Sequence, residues 1–333
     1  MPTPKAGCIV SPFAYAMGSS NCVECVKLLL EAGALQDVGE WNPIYSLVSS
    51  AQDPSVRIDG QKNVYPVLEG MGYVLPDWYK NLDGTRCGQP EEILKLLIQH
   101  GAKINELNTT EGYTPLGRTL YYGKISMAKL MLQMGADPTI TSKITADPKA
   151  QTITEVIPIC QAAEVGDLEL MKLMVEKGAD INSAAKGMAL MNMQKLTGGE
   201  NYTPLNLALA NGKIDVAAYL IEKGADLTIG VQGTTFVKGN ISSANLICQV
   251  IVTNKTPIYW AIESGSLGAV QLLTAKLKDK ASPEYTIKTL GGGTTDGIYD
   301  YSCKFTRTKY SPSQWANEIG NKEIEEYLSV NGL

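Results

Sequence analysis

A fixed distance between prolines and glycines recurs along the chain. Four segments begin at a proline and reach a glycine 20 positions later: 115–135, 158–178, 204–224 and 312–332. Proline suits the first turn of a helix, where its missing N–H leaves no bond unmade, and glycine suits the left-handed residue that follows a helix. The residues between them have helical periodicity, as in Val216, Ala217, Leu220 and Ile221. Helices of about eight residues are unstable alone, so the spacing predicts helix pairs that bury their apolar faces by stacking.

The same pattern extends this array to seven repeats. Further repeats start at Pro12, Pro43 and Pro257. Gly33 and Gly101 end the first two, and Leu277 takes the place of the glycine in the sixth. The second repeat is longer than the others by about 38 residues, and we expect 53–89 to be an irregular insertion within it. The sequence thus predicts a single solenoid over 1–333.

Two motifs within the repeats belong to a known family. The first is present as Thr114-Pro115-Leu116, as Thr203-Pro204-Leu205-Asn206-Leu207-Ala208 and as Thr256-Pro257-Ile258-Tyr259-Trp260-Ala261. The second, Gly-Ala-Asp, ends repeats at 135–137, 178–180 and 224–226. On these motifs the chain resembles ankyrin-repeat proteins. The resemblance implies a mainly α fold, an ankyrin-repeat solenoid of helix pairs with extended β-hairpin fingers toward the C-terminus.

One position departs from the family motif in every repeat. The motif histidine is replaced, and the residues in its place are Ala14, Tyr45, Gly117, Cys160, Asn206, Tyr259 and Gln314. We therefore expect weaker hydrogen bonding between repeats. The tryptophans Trp260 and Trp315 follow this position directly, and we expect them to pack in the core.

The segments that join the repeats lengthen along the chain. From the end of one repeat to the next proline they measure 10, 14, 23, 26, 33 and 35 positions. The stretches LICQVIVTN, EYTIKTL and GIYDYSCKFTRTK alternate or are β-branched, as strands are. We expect these strands to pack into a small sheet, with turns at Gly291-Gly292-Gly293 and at Gly198-Gly199.

Several function classes find no support in the sequence. The net charge of −5 argues against a nucleic-acid partner, and no apolar run is long enough for an integral membrane segment. His100 is the one histidine. A Ser-His-Asp site without it is therefore ruled out, and so is a metal site that needs several histidines. The pair Cys22 and Cys25 lacks the second pair of a structural zinc site. We expect no enzyme activity, catalytic residue, metal or cofactor.

The resemblance implies protein binding through the concave face and the fingers. The expected contact positions lie two residues before the motif proline and six or seven after it. Among these and the finger tyrosines, the predicted protein-binding residues are Tyr113, Tyr121, Tyr122, Glu164, Val165, Tyr202, Asn211, Lys255, Glu263, Ser264, Tyr299, Tyr301 and Tyr310. Tyrosine is enriched at interfaces because it combines a large contact area with a polar tip.

The seven cysteines leave two interpretations open. Cys248 and Cys303 lie in consecutive fingers and are a possible disulfide, which adjacent strands could hold at the required separation. That bond favours an extracytoplasmic (periplasmic) mature chain whose leader was removed. Seven reduced thiols would instead indicate the cytoplasm.

The resulting hypothesis is a binding module that is monomeric alone and grips one protein, mainly with its C-terminal half. In a specific form it is an inhibitor or immunity-type protein whose fingers block the partner's active site. One alternative is a bacterial effector or scaffold that acts on host proteins. Another is an enzyme that uses the acidic residues of the 53–89 insertion.

Overall fold

The computed structural model describes residue 13 and residues 23–36, 42–50, 90–108, 112–147, 152–186, 197–238, 246–277, 284–294 and 307–333. These residues form two compact units. Unit 1 is 1–110 with 114–137, and unit 2 is 111–113 with 138–333. The predicted 53–89 insertion, Tyr299, Tyr301 and Cys303 lie outside the described residues.

Unit 1 consists of short helices. They are α1 (Val23–Glu31), α2 (Pro43–Ser50), α3 (Pro90–Gln99), α4 (Pro115–Tyr121) and α5 (Ile125–Gln133). The inner helices α2 and α4 pack against each other, and the outer helix α3 packs against α1, α2 and α5. The fully buried side chains at these contacts include Ile44, Leu47, Leu94, Leu97 and Leu116.

Unit 2 contains four complete helix pairs. Its inner helices are α6 (Pro158–Val165), α8 (Pro204–Ala210), α10 (Pro257–Glu263) and α12 (Pro312–Glu318). Its outer helices are α7 (Leu168–Glu176), α9 (Ile214–Glu222), α11 (Leu267–Leu277) and α13 (Lys322–Val330). Each inner helix packs on the next inner helix, and each outer helix on the next outer one. This stacking confirms the ankyrin-type solenoid of helix pairs within the unit.

The proline and glycine signals mark the helix boundaries as predicted. Every described inner helix begins at its proline. The side chains of Thr114 and Thr203 accept hydrogen bonds from backbone N–H groups in the first turn and so satisfy donors that the helix leaves open. The predicted cap glycines have φ between 74 and 100°, the left-handed region that costs glycine little: Gly33, Gly101, Gly135, Gly178, Gly224 and Gly332.

The fingers form two antiparallel sheets. Strands β1 (Ser142–Asp147) and β2 (Thr152–Val156) pair with each other. The other sheet has five strands in the order β3-β4-β5-β6-β7. They are β3 (Thr197–Glu200), β4 (Val231–Lys238), β5 (Leu246–Lys255), β6 (Tyr285–Thr294) and β7 (Arg307–Tyr310). The predicted finger strands and their small sheet are thereby confirmed where they are described.

The two turns predicted at glycine clusters are wrong. Gly291, Gly292 and Gly293 continue β6 and pair with Gln249, Cys248 and Ile247 of β5. Gly198 and Gly199 lie within β3. At Gly199 the reason is close packing, since an added Cβ would lie 2.4 Å from the ring of Tyr202. Glycine in a strand often marks such an approach.

The prediction of weak hydrogen bonding at the motif-histidine position is also wrong for two repeats. The Asn206 amide donates to the carbonyl of Ile229 at 3.2 Å, in the next finger. The Tyr259 hydroxyl donates to the carbonyl of Tyr310 at 2.7 Å and accepts from the N–H of Tyr285 at 3.3 Å. Asn206 and Tyr259 therefore supply hydrogen bonds between repeats. The replacement of the motif histidine had been expected to weaken this bonding.

Candidate functional site

The residue at the C-terminal end of an inner helix is at least partly exposed in the five repeats where its side chain is described. We call the residues seven after the motif proline the inner-helix ends: Tyr122, Val165, Asn211, Ser264 and Ile319. In the described part of the chain, the exposed large apolar side chains are Leu28, Leu107, Tyr122, Ile319 and Val330. Two of these five, Tyr122 at 39% and Ile319 at 41% exposure, are inner-helix ends. One large apolar side chain is therefore exposed at this position in each unit.

In unit 1 the exposed tyrosine belongs to an ordered cluster. The rings of Tyr121 and Tyr122 meet edge to face, with centroids 5.5 Å apart. The Arg118 guanidinium lies 4.7 Å from the Tyr122 centroid and 5.4 Å from those of Tyr121 and Tyr45. Such cation–π contacts attract the cation to the ring face. They hold the tyrosines in place before any partner arrives, which lowers the entropy lost on binding.

Two of the inner-helix ends in unit 2 are small polar residues that cap their own helices. The Asn211 amide donates to the carbonyl of Leu207 at 2.9 Å, and the Ser264 hydroxyl donates to the carbonyl of Ala261 at 2.8 Å. Val165 is half-buried, whereas its neighbour Glu164 is buried. Asn211, Ser264 and Val165 can still contact a partner, but Glu164 is not an exposed contact residue as predicted.

The position two residues before the proline lies in the core, and this corrects the surface predicted there. Tyr113, Tyr202 and Lys255 are buried, with exposures of 5%, 1% and 5%. Only Tyr310 is half-buried, and its ring packs on Trp315 with centroids 5.1 Å apart. Lys255 and Tyr310 end the strands β5 and β7, and the backbone of Tyr202 pairs with that of Ala185, so these three residues lie where a finger meets its inner helix.

Lys255 and Glu263 form an internal ion pair. The Lys255 ammonium lies 2.6 Å from a carboxylate oxygen of Glu263. It also lies 3.5 Å from the ring centroid of Trp260, whose predicted place in the core is confirmed. The two charges satisfy each other over an aromatic face. We conclude that this pair joins the end of β5 to α10. A partner could contact only the part of the Glu263 side chain that stays exposed, which is 24%.

The five-stranded sheet has a buried face and an open face. Val231, Val252 and Tyr285 are buried, while Gln232, Lys288 and Lys309 on alternate positions are exposed. The sequence analysis predicted a strand at EYTIKTL but assigned none of its residues to an open face. The same alternation in EYTIKTL would have placed Lys288 on the opposite, open side.

The cysteines remain only partly described. Cys160 is buried. Burial raises the pKa of its thiol well above the ordinary value. The thiolate, which is the reactive form, therefore does not form near neutral pH. Cys248 lies in β5, which pairs with β4 and β6, whereas β7 pairs with β6. This strand order gives no support to the bond between Cys248 and Cys303, and the bond stays a prediction.

The described residues provide neither a metal-binding group nor a membrane-spanning helix. They contain no group of three or more His, Cys, Asp or Glu side chains placed to hold a metal ion. Nor does any helix among them have both the length and the apolar character that crossing a membrane requires.

Comparison with known proteins finds similarity to ankyrin repeats over a part of the chain. A family profile described as ankyrin repeats, in three copies, matches residues 142–231. Alpha-latrocrustotoxin-Lt1a of Latrodectus tredecimguttatus is 31% identical over 136 residues, which are 40% of this chain and 8% of the toxin. Ankyrin repeat protein nuc-2 of Neurospora crassa is 31% identical over 157 residues, which are 46% of this chain and 13% of that protein.

Further matches follow the same pattern. An ankyrin repeat and KH domain-containing protein of Caenorhabditis briggsae is 29% identical over 119 residues, 30% of this chain and 4% of its own length. The chain therefore spans a small part of the curated relatives it matches. The human ASB11 ankyrin repeat domain has 16% identity and a TM-score of 0.48, with 96% of this chain and 97% of that one covered. The three curated relatives come from eukaryotes and do not support a bacterial origin.

Proposed function

We propose that this chain, which is an ankyrin-repeat protein, binds a partner protein through its inner-helix ends and the open face of its finger sheet. The observation that carries the proposal is the exposure of Tyr122 and Ile319 at the same repeat position. Aromatic and aliphatic side chains that protrude from a rigid helix end are typical anchors of protein interfaces. Ankyrin repeats support protein binding in general.

The arrangement around Tyr122 adds a second argument. Its ring is held by Arg118 on one side and Tyr121 on the other. A side chain that is already ordered loses little conformational entropy when a partner covers it. Tyr122 and Arg118 also belong to the residue types that most often dominate binding energy.

The finer part of the proposal concerns the mode of binding. The chain acts as a monomer and grips one protein mainly with its C-terminal half, which contains the five-stranded sheet. Coverage of the partner by this sheet would inhibit the partner if its active site lies beneath. Light scattering of the isolated chain and an activity assay of the captured partner test these two statements.

Replacement of the two exposed anchors should abolish most partner capture. We expect the double variant Tyr122→Ser, Ile319→Ser to retain its fold, because both side chains lie at the surface and are partly exposed in the free protein. Capture from an extract of the source organism, quantified by mass spectrometry, should fall about tenfold, which corresponds to about 1.4 kcal/mol.

The matched control uses exposed apolar residues away from the inner-helix ends. Leu28→Ser with Val330→Ser removes one such side chain from each unit, at exposures of 65% and 87%. This variant should capture the same proteins as the natural chain. Equal capture by both double variants would exclude the inner-helix ends as the binding surface.

A further inference from the structure

The open face of the five-stranded sheet has positive charge at one edge. In the register of β6 and β7, Lys288 is opposite Arg307 and Thr286 is opposite Lys309. Residues two apart on a strand share a face, and so do directly opposed residues. Lys288 and Lys309 are both exposed. We call Thr286, Lys288 and Lys309 the basic strip.

The basic strip brings two ammonium groups to one face at the edge of the sheet. Lys288 and Lys309 lie at diagonal positions of neighbouring strands, a separation that long side chains can bridge. One described acid compensates a part of the charge: a Glu284 carboxylate oxygen lies 2.5 Å from the Lys309 ammonium. Both side chains of that pair are more than half exposed, so the pair contributes little stability. Two lysines beside one acid leave an excess of positive charge among the described side chains at this edge.

Among the described side chains of the open face, those next to the strip are uncharged and an acidic one lies at the far edge. Ile251 and Thr253 of β5 are opposite Lys288 and Thr286, and both are half-buried. At the other edge, Glu200 of β3 accepts a hydrogen bond from Gln232 at 3.0 Å. A ligand of the strip therefore meets cations at β6 and β7 and a flat surface of β-branched side chains beside them.

We propose that the basic strip is a docking surface for an acidic segment of the partner protein. The proposal rests on the protein-binding function proposed above and adds the chemistry of the partner. Carboxylates of such a segment would pair with Lys288 and Lys309. Charge complementarity of this kind selects the partner and speeds its association.

The charge of the whole chain favours a protein partner over a polyanion. The net charge is −5 and the isoelectric point is about 5.2. Nucleic acids and anionic bilayers extend well beyond a strip of this size and would meet the acidic remainder of the surface, where repulsion opposes binding. A short acidic segment can contact the strip alone.

The test measures binding of a defined acidic peptide to the full chain. A fluorescein-labelled octaglutamate is titrated with the natural protein at low ionic strength and followed by anisotropy. We expect the Kd to rise with added salt, because salt screens exposed charges. The variant Lys288→Gln, Lys309→Gln should bind at least about fivefold more weakly.

Two further variants make the result specific. Lys276→Gln with Lys322→Gln removes the same charge from exposed outer-helix positions in the same unit and should leave the Kd unchanged. Glu284→Gln releases Lys309 from its ion pair and should tighten binding, an effect that a merely unfolded variant would not produce. No binding of the peptide, or equal weakening by both lysine pairs, would overturn the proposal.

Other probes decide the class of ligand. An eight-nucleotide deoxythymidine oligomer and vesicles containing phosphatidylserine are titrated under the same conditions. Tighter binding of either would overturn the assignment to an acidic protein segment. If the peptide fails but the anchor variant still loses its captured proteins, only the basic strip is excluded and the protein-binding function stands.

Discussion

Replacement of Gly230 by alanine should lower the free energy of unfolding by about 3 kcal/mol. A Cβ built at this position lies 2.6 Å from the Cα and 2.8 Å from the carbonyl carbon of Asn254. Both atoms belong to the backbone, so no side-chain rotation can make room. Asn254 itself has a left-handed φ of 60°, which asparagine tolerates better than most residues. The clash would therefore separate the start of β4 from the end of β5.

Gly268→Ala is the matched control. Gly268 lies in α11, and no atom outside its own helix neighbourhood is within 4 Å of the added Cβ. Alanine is a better helix former than glycine, so this variant should be as stable as the natural chain or up to about 1 kcal/mol more stable. Urea denaturation followed by circular dichroism compares the two. Equal stability of both variants would mean that the strands at Gly230 can move apart without cost.

The sequence predicted the helices well because their signals are local. Proline fixes its own φ and glycine permits a left-handed one, and both properties are independent of the rest of the fold. Pro204 and Gly224 therefore bound a helix pair wherever the repeat stacks. Leu277 was correctly placed at a repeat end because the spacing replaced the missing glycine signal; it closes α11 and is buried.

The fingers were predicted less well because their geometry depends on distant residues. Gly291 to Gly293 have the composition of a turn, but their pairing with β5 keeps them in a strand. Tyr202 has the composition of an interface residue. Its burial follows from the bridge in which its carbonyl accepts from the N–H of Ala185 at 3.0 Å, and that pairing has no signature within the repeat motif.

Some residues of the candidate site could be predicted from the sequence and others could not. Tyr121 and Tyr122 follow from the family position alone. The basic strip does not, because Lys288 and Lys309 are ordinary exposed lysines until the register places them on one face of neighbouring strands. The register depends on the length of the connection between β6 and β7, and composition does not determine it.

Tyr259 and Tyr202 offer a matched pair for the hydrogen bonding between repeats. Both side chains are almost fully buried, at 0% and 1% exposure. Tyr259 bonds to the backbone of Tyr285 and Tyr310, whereas the Tyr202 hydroxyl has no hydrogen-bond partner among the described residues. Burial raises the pKa of Tyr202 well above its ordinary value, as expected for a phenol that stays neutral in an apolar setting.

The same substitution should therefore have different effects at the two sites. Tyr259→Phe removes a donor and an acceptor from two backbone groups, and we expect it to lower the free energy of unfolding by about 2 kcal/mol. Tyr202→Phe removes a hydroxyl that gains nothing from burial, so stability should stay within about 0.5 kcal/mol or rise. Because each change deletes one oxygen and keeps the ring, the difference between the two measures the bonds and not the apolar area. Equal losses in urea denaturation would contradict the role of Tyr259. They would show that Tyr259, which replaces the motif histidine, joins α10 to the sheet by packing alone.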